Sequence, residues 1–180
     1  MSTAADMNRF LAEVEKKAFT MAQIAVKDID TALDIVQDAM LTLAVKYVSK
    51  PQAQWRPLFY RILRNRITDF HRRHTLTRRI FAMFNKGKDE DDDFDYVESN
   101  PGRYSEEPHR EFELAGARDE LVDALTALPE RQREAFMLRT WEGLSVADTA
   151  SAMQCSQGSV KTHYSRAVHN MRKKLEDHWS

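Results

Sequence analysis

The stretch Ser145-Val-Ala-Asp-Thr-Ala-Ser-Ala-Met-Gln-Cys-Ser-Gln-Gly-Ser-Val-Lys-Thr-His-Tyr-Ser-Arg166 has the punctuation of two short helices meeting at a tight turn. Ser145 is followed three residues on by Asp148, and Ser156 by Ser159. Short oxygen-bearing side chains so placed accept from the free N–H groups of a helix's first turn. Ala150 and Val160 stand ten residues apart. In a helix-turn-helix the small residue lets the second helix cross the first closely, and the apolar one anchors it. Cys155 falls where the turn needs a small apolar plug. With the second helix starting at Ser156, its outward positions include Gln157, Ser159, Lys161, Thr162, Ser165 and Arg166. Such side chains can meet base edges and phosphates. A plain αα-hairpin with a solvated basic face shares the spacing, but caps, plug and charge sign together favour a DNA reader.

Working outward, Leu121, Val122, Leu125 and Leu128 predict a helix ending at Pro129, and a second runs through Ala135, Phe136 and Leu138 to Trp141. Gly143 suits the left-handed residue past that helix, with Leu144 folding back onto its last turn. In the first half, Leu11, Val14, Ala18, Met21, Ala22 and Ala25 keep a three- and four-residue step. Asp28-Ile-Asp30 ends that helix and caps the next, whose stripe is Leu33, Val36, Met40, Leu43 and Tyr47. Ser49 to Gln52 reads as a loop because Pro51 disfavours helical geometry in the residue before it. A third helix starts near Trp55 to Pro57 and carries Phe59, Leu63, Ile67 and Phe70. Trp55 aligns with this apolar face, which favours a core position over a stacking platform. From Asn85 to Glu113 there is no sustained period, only charge runs with Gly87, Pro101, Gly102 and Pro108. The expected fold is all-α: two small helical domains, 5–84 and 116–178, joined by an acidic flexible linker, 85–115.

The formal net charge of -1 conceals a sharp partition. Arg56, Arg61, Arg64, Arg66, Arg72, Arg73, Arg78 and Arg79 meet a single acid, Asp69. Lys161, Arg166, Arg172, Lys173 and Lys174 form a second basic stretch. Between them stand Asp89, Glu90, Asp91, Asp92, Asp93, Asp95 and Glu98. Two basic bodies flanking an acidic connector fit a nucleic-acid partner. The lone Cys155 cannot form an internal disulfide, and no signal-peptide or membrane-span pattern is visible, so a cytoplasmic protein without membrane insertion is expected. No Gly-rich phosphate loop, nucleophile elbow, zinc-ligand spacing or paired catalytic carboxylate set appears. His163 and His169 have no neighbouring Cys or carboxylate set. Neither enzyme activity, nor metal, nor cofactor is expected.

On the second helix Asp34, Gln37, Asp38 and Leu41 share a face beside the apolar stripe, open to a partner. On the third, Arg61, Arg64, Asn65 and Arg72 lie away from the Phe59-to-Phe70 stripe and can track a phosphate backbone. Asn65 can also pair with a base edge. Asp69 is placed to orient an Arg.

Leu128-Pro-Glu-Arg-Gln-Arg-Glu-Ala-Phe-Met-Leu-Arg139, then Trp141-Glu-Gly-Leu-Ser145 and Gly158-Ser-Val-Lys161, resemble the fourth conserved region of extracytoplasmic-function sigma factors. Asp34-Ile-Val-Gln-Asp-Ala-Met-Leu41 resembles that family's polymerase-binding helix. Leu58-Phe-Tyr-Arg-Ile-Leu-Arg-Asn65, continuing to Asp69 and Arg72-Arg73, resembles its promoter-melting helix. The resemblance implies core RNA polymerase as partner, through the clamp helices and flap, with Asp34, Gln37, Asp38 and Leu41 on the clamp. It implies promoter DNA, with the helix from Ser156 on the minus thirty-five element and Arg61, Arg64, Asn65 and Arg72 on the minus ten element. Lys50, Gln52 and Gln54 are by analogy the pocket for an extruded base. The connector is expected near the RNA path, an anti-sigma factor as inhibitor, and a monomer when free. Gln154 departs from the family where Gly is frequent, Thr149 where a larger apolar residue is usual, and Leu58 where Trp is common. The competing reading is a response-regulator or quorum-type helix-turn-helix regulator, which would carry an α/β domain first.

Overall fold

The computed structural model describes residues 4–84 and 119–178, and every regular element among them is helical. Helix α1 (Ala4–Val26) buries Met7, Phe10, Leu11, Val14, Ala18 and Ala22, the stripe its spacing demands. It stops because Lys27 turns to left-handed backbone, φ 59°, and donates its N–H to the Gln23 carbonyl at 2.8 Å. Asp28 then caps α2 (Ile29–Tyr47), accepting from the Thr31 N–H at 2.8 Å. The Thr31 hydroxyl and N–H together hold the Asp28 carboxyl below its ordinary range. In α2 the core positions are Ala32, Ile35, Val36, Ala39 and Leu43. Leu33, expected in that stripe, is 43% exposed. Ala32 and Ala39 take the buried positions of the helix instead.

Helix α3 (Gln52–Phe84) begins three residues before Trp55, earlier than the sequence suggests. The Pro51 carbonyl accepts the Gln54 N–H at 2.9 Å, so Gln52 and Gln54 belong to the first helical turn and not to the preceding loop. Pro57 is buried inside the helix, where its fixed φ is already helical and its missing N–H forfeits one bond. Trp55 is fully enclosed, donating from its indole nitrogen to the Tyr47 carbonyl at 3.1 Å. Its ring centroid is 5.9 Å from that of Phe10, which meets Phe59 edge-on at 6.2 Å. Trp55 is a core residue.

The second group of helices begins with α4 (119–126). There Ala124 and Leu125 are buried with Leu128 beyond, while Leu121 and Val122, expected inside, are 40% and 37% exposed. Helix α5 (Glu130–Phe136) starts at Pro129, whose carbonyl accepts from Gln132 and Arg133. The expected continuation to Trp141 is helical but widened: Met137–Trp141 form a π-turn, with the Glu142 N–H reaching the Met137 carbonyl at 3.0 Å. Gly143, at φ +67°, supplies the left-handed step, and Leu144 folds back, its N–H 3.0 Å from the Leu138 carbonyl. Helices α6 (Val146–Met153) and α7 (Gln157–His178) complete the chain.

The two groups are packed together. Ile24 of α1 lies among Leu125, Leu128, Met137, Ala167 and Met171, and the cluster around Trp55 and Phe59 continues into Ala135, Leu138, Leu144, Ala150 and Met153. One apolar core therefore runs through both. The acidic linker expected over 85–115 lies outside the described residues. No described helix is long and apolar enough to cross a membrane.

Candidate nucleic-acid interface

Both helix starts around the turn are capped as their sequence implies. The Ser145 hydroxyl accepts the Asp148 N–H at 3.0 Å and donates to its carboxylate at 2.8 Å. The Ser156 hydroxyl accepts the Ser159 N–H at 3.1 Å. Ala150 and Val160 are both buried at the crossing. Gln154 holds the left-handed position at the turn, φ 52°, where its side chain costs about 1–2 kcal/mol that a glycine would not. The turn closes through the Cys155 N–H to the Ala150 carbonyl at 3.1 Å, and Arg131 reaches the Met153 carbonyl at 3.0 Å, matching a cation to the negative end of α6. Thr149 is enclosed where a larger apolar residue is usual, and its hydroxyl is satisfied by the Ser145 carbonyl at 2.8 Å. Replacing Ser145 by Ala removes the α6 cap, and a loss of about 1 kcal/mol in denaturant unfolding is expected.

On α7, Gln157, Lys161, Thr162, Ser165 and Arg166 are exposed along the outer side, with Arg172, Lys173 and Lys174 farther on. Ser159 is half-buried, its hydroxyl 2.9 Å from that of Ser156, so it serves the cap as well as the outer face. The inner side is fixed by Tyr164, which stacks on Phe136 at 6.3 Å and lies under the Arg139 guanidinium at 5.8 Å. Asn170 adds a 2.8 Å bond to Gln132. These exposed side chains thus project from a braced helix. No group of metal-ligating side chains occurs among the described residues, and His163 and His169 sit half-buried and exposed.

In the first group, Lys50, Gln54, Arg61 and Asn65 converge on a cleft of about 370 Å³ floored by Tyr47, Leu58 and Ile62. Four of the expected readers are brought together by the helical step. Gln52 is not on that lining, and Arg72 is exposed farther along α3. Arg64 points elsewhere, its Nε 2.9 Å from Glu134 Oε1 on α5. Among the described residues Asp69 orients no arginine; it is exposed, and the acids that hold these arginines are Asp38 for Arg66, Glu134 for Arg64, and Glu13 and Glu142 for Arg56. On α2, Asp34, Gln37, Asp38 and Leu41 are all exposed, and Leu41 at 63% is joined by Val45 at 70%.

Glu142 is a buried ion-pairing residue that spacing does not reveal. Its side chain is fully enclosed; one oxygen is 2.9 Å from Arg56 and the other 3.6 Å from the Lys17 ammonium. The partners lie 86 and more positions away in sequence, so no local pattern signals them. Nearby, the Tyr60 hydroxyl is buried beside Glu142, and burial first, then the Glu142 charge, pushes its ionisation far up.

Residues 118–171 match the family model for sigma-70 region 4. The RNA polymerase sigma-E factor of Streptomyces antibioticus is 41% identical over 56 residues, so the chain matches 31% of that relative's length. The ECF RNA polymerase sigma factor EcfG of Rhodopseudomonas palustris matches far more of the chain, 29% identical over 139 residues, covering 77% of this chain and 67% of its own. Over residues 118–171, then, the chain is similar to sigma-70 region 4, and it spans about a third of the length of the sigma-E relatives it matches there. The chain also shares its fold with solved structures. One is sigma factor RpoE in complex with the anti-sigma factor NepR from Bartonella quintana (TM-score 0.63, 24% identity, 95% of this chain and 97% of that one). Another is CnrH in complex with the cytosolic domain of CnrY (TM-score 0.60, 17% identity, 97% and 90%).

Proposed function

We propose that this chain is an alternative sigma factor that binds core RNA polymerase and directs it to specific promoters, catalysing nothing itself. The observation that carries the reading is a braced, basic helix-turn-helix of the sigma-70 region 4 type in one chain with a polar cleft on the arginine-rich helix α3. Residues 5–84 form the region 2 domain, 85–115 the linker and 116–178 the region 4 domain. Helix α7 enters the major groove of the minus thirty-five element with Gln157, Ser159, Lys161, Thr162, Ser165 and Arg166. Helix α3 opens the minus ten element with Arg61, Arg64, Asn65 and Arg72. An extruded base needs polar groups for its edge, and the cleft lined by Lys50, Gln54, Arg61 and Asn65 offers them. The Asp34, Gln37, Asp38 and Leu41 face docks on the clamp helices of the largest subunit, and the region 4 domain on the flap. Polymerase then holds both readers at fixed spacing, so weak contacts add through effective concentration.

The protein works in the cytoplasm as a monomer held by an anti-sigma factor, an expectation supported by the complexes in which RpoE and CnrH were solved. A response-regulator or quorum-type regulator is disfavoured because the described residues before α4 are three helices with no strand. The purified chain should co-elute with sigma-free core polymerase, and charge reversal at Asp34 and Asp38 should abolish co-elution. A chain that never associates with core, inhibitor absent, is not a sigma factor.

A further inference from the structure

Beyond Phe70 the helix α3 runs on without a neighbouring helix to cover it. Every residue over 72–84 is exposed, a stretch about 20 Å long at ~1.5 Å per residue. It carries Leu76, Ile80, Phe81, Met83 and Phe84, five of the twelve large apolar side chains exposed among the described residues. Such a concentration on one tip is a patch and not the ordinary scatter of surface apolar residues. At 3.6 residues per turn, Met83, Leu76, Ile80 and Phe84 fall within an arc of about 100°, which Phe81 extends by about 60°. Arg72 and Arg79 border one edge of this arc, His74 and Arg78 the other, and Arg73 stands at its near end. Asp69, at the root of the stretch, is the only acid of α3, and Lys86 and Lys88 follow Phe84 in sequence before the next acid, Asp89. Neither the proposed polymerase-binding face nor the cleft on α3 uses the arc.

We propose that residues 72–84 are a docking helix for the surface of an anionic phospholipid bilayer. The helix lies along the interface. Its apolar arc enters the boundary between headgroups and acyl chains, and the bordering arginines keep their guanidinium groups among the phosphates while their stems add to the buried surface. No span is implied, since no described helix is long and apolar enough to cross a membrane. Charge decides between occupants. A second copy would bring two sets of Arg72, Arg73, Arg78 and Arg79 onto one short contact, where like charges repel. A nucleic-acid strand would take the arginines but leave Leu76, Ile80 and Met83 in water. An anionic bilayer answers both halves of the pattern. Each arginine held at its surface is worth on the order of fivefold in partition, and the arc adds through burial.

The test is flotation of the full chain through a density gradient with vesicles of phosphatidylglycerol and phosphatidylcholine in equal parts, or of phosphatidylcholine alone. The parent should float with the anionic vesicles and partition into the neutral ones at least roughly tenfold less. Ile80→Ser with Phe84→Ser should cut partition into anionic vesicles by about tenfold or more, and Arg78→Gln with Arg79→Gln by roughly 25-fold. All four positions are exposed and none belongs to the proposed reading residues, so the unfolding midpoint should stay that of the parent. A parent that does not float, or that floats equally with neutral vesicles, overturns the proposal. So does a serine pair that floats like the parent, because adsorption by charge alone leaves the arc unburied. Gel filtration and a duplex DNA titration of the same variants identify the other occupants. In a chain that does not float, a dimer dissociated by the serine pair assigns the arc to a second copy, and a DNA affinity lowered by that pair assigns it to nucleic acid.

Discussion

Trp55→Ala is expected to lose about 3–5 kcal/mol of stability, the range for emptying a large aromatic site in a core. The indole is fully enclosed, its nitrogen is satisfied by the Tyr47 carbonyl, and Phe10 and Phe59 pack around it. Truncation leaves a cavity and removes one of the two hydrogen bonds that the Tyr47 carbonyl accepts, the other coming from the Lys50 N–H at 3.0 Å, where α2 turns into α3. Domains of this kind carry about 5–15 kcal/mol in all, so such a loss leaves a large unfolded fraction. Denaturant unfolding checks it, and loss of promoter opening should track the unfolded fraction. A stacking platform for a melted base would behave differently, giving a folded variant that fails only in opening.

The second large effect is expected from joint charge reversal at Lys161 and Arg166, exposed on the outer side of α7. A unit charge about 6 Å from a phosphate in water is worth about 0.7 kcal/mol, and reversal exchanges that attraction for an equal repulsion. Each site then contributes about 1.4 kcal/mol, or tenfold, and the pair about a hundredfold in upstream-element affinity. The salt dependence should flatten as well, by nearly one unit of slope for each phosphate no longer neutralised. Fluorescence anisotropy at two ionic strengths measures both. The two residues face solvent, so thermal stability should hardly change; an unchanged affinity would mean that another face of α7 meets DNA.

Much of this was legible because it is local. The caps at Ser145 and Ser156, the left-handed step at Gly143 and the Ala150–Val160 crossing each follow from side chains within one or two turns of one another. The cleft was legible only in part: of the pocket expected by resemblance Lys50 and Gln54 line it and Gln52 does not, while Arg61 and Asn65, expected to track a phosphate backbone with Arg64 and Arg72, join them without those two. What the sequence concealed depends on distant approach. Leu33 and Leu121 look like core residues until the neighbouring helices are seen to bury alanines instead. The π-turn at Met137–Trp141 leaves no compositional mark, yet Glu142 follows it directly and reaches Arg56 and Lys17. Asp69 seemed the natural partner for an arginine on its own helix. Three of the arginines are instead held by acids on other helices, because side chains from packed neighbours point at the α3 face whereas Asp69 points into solvent.

Transcript mapping tests the central claim most directly: the purified chain and sigma-free core polymerase are incubated with a genomic fragment library, and RNA 5′ ends are sequenced. A promoter factor should give discrete start sites, absent with core alone, preceded by a shared pair of upstream and downstream elements. Start sites no different from those of core polymerase alone would contradict it.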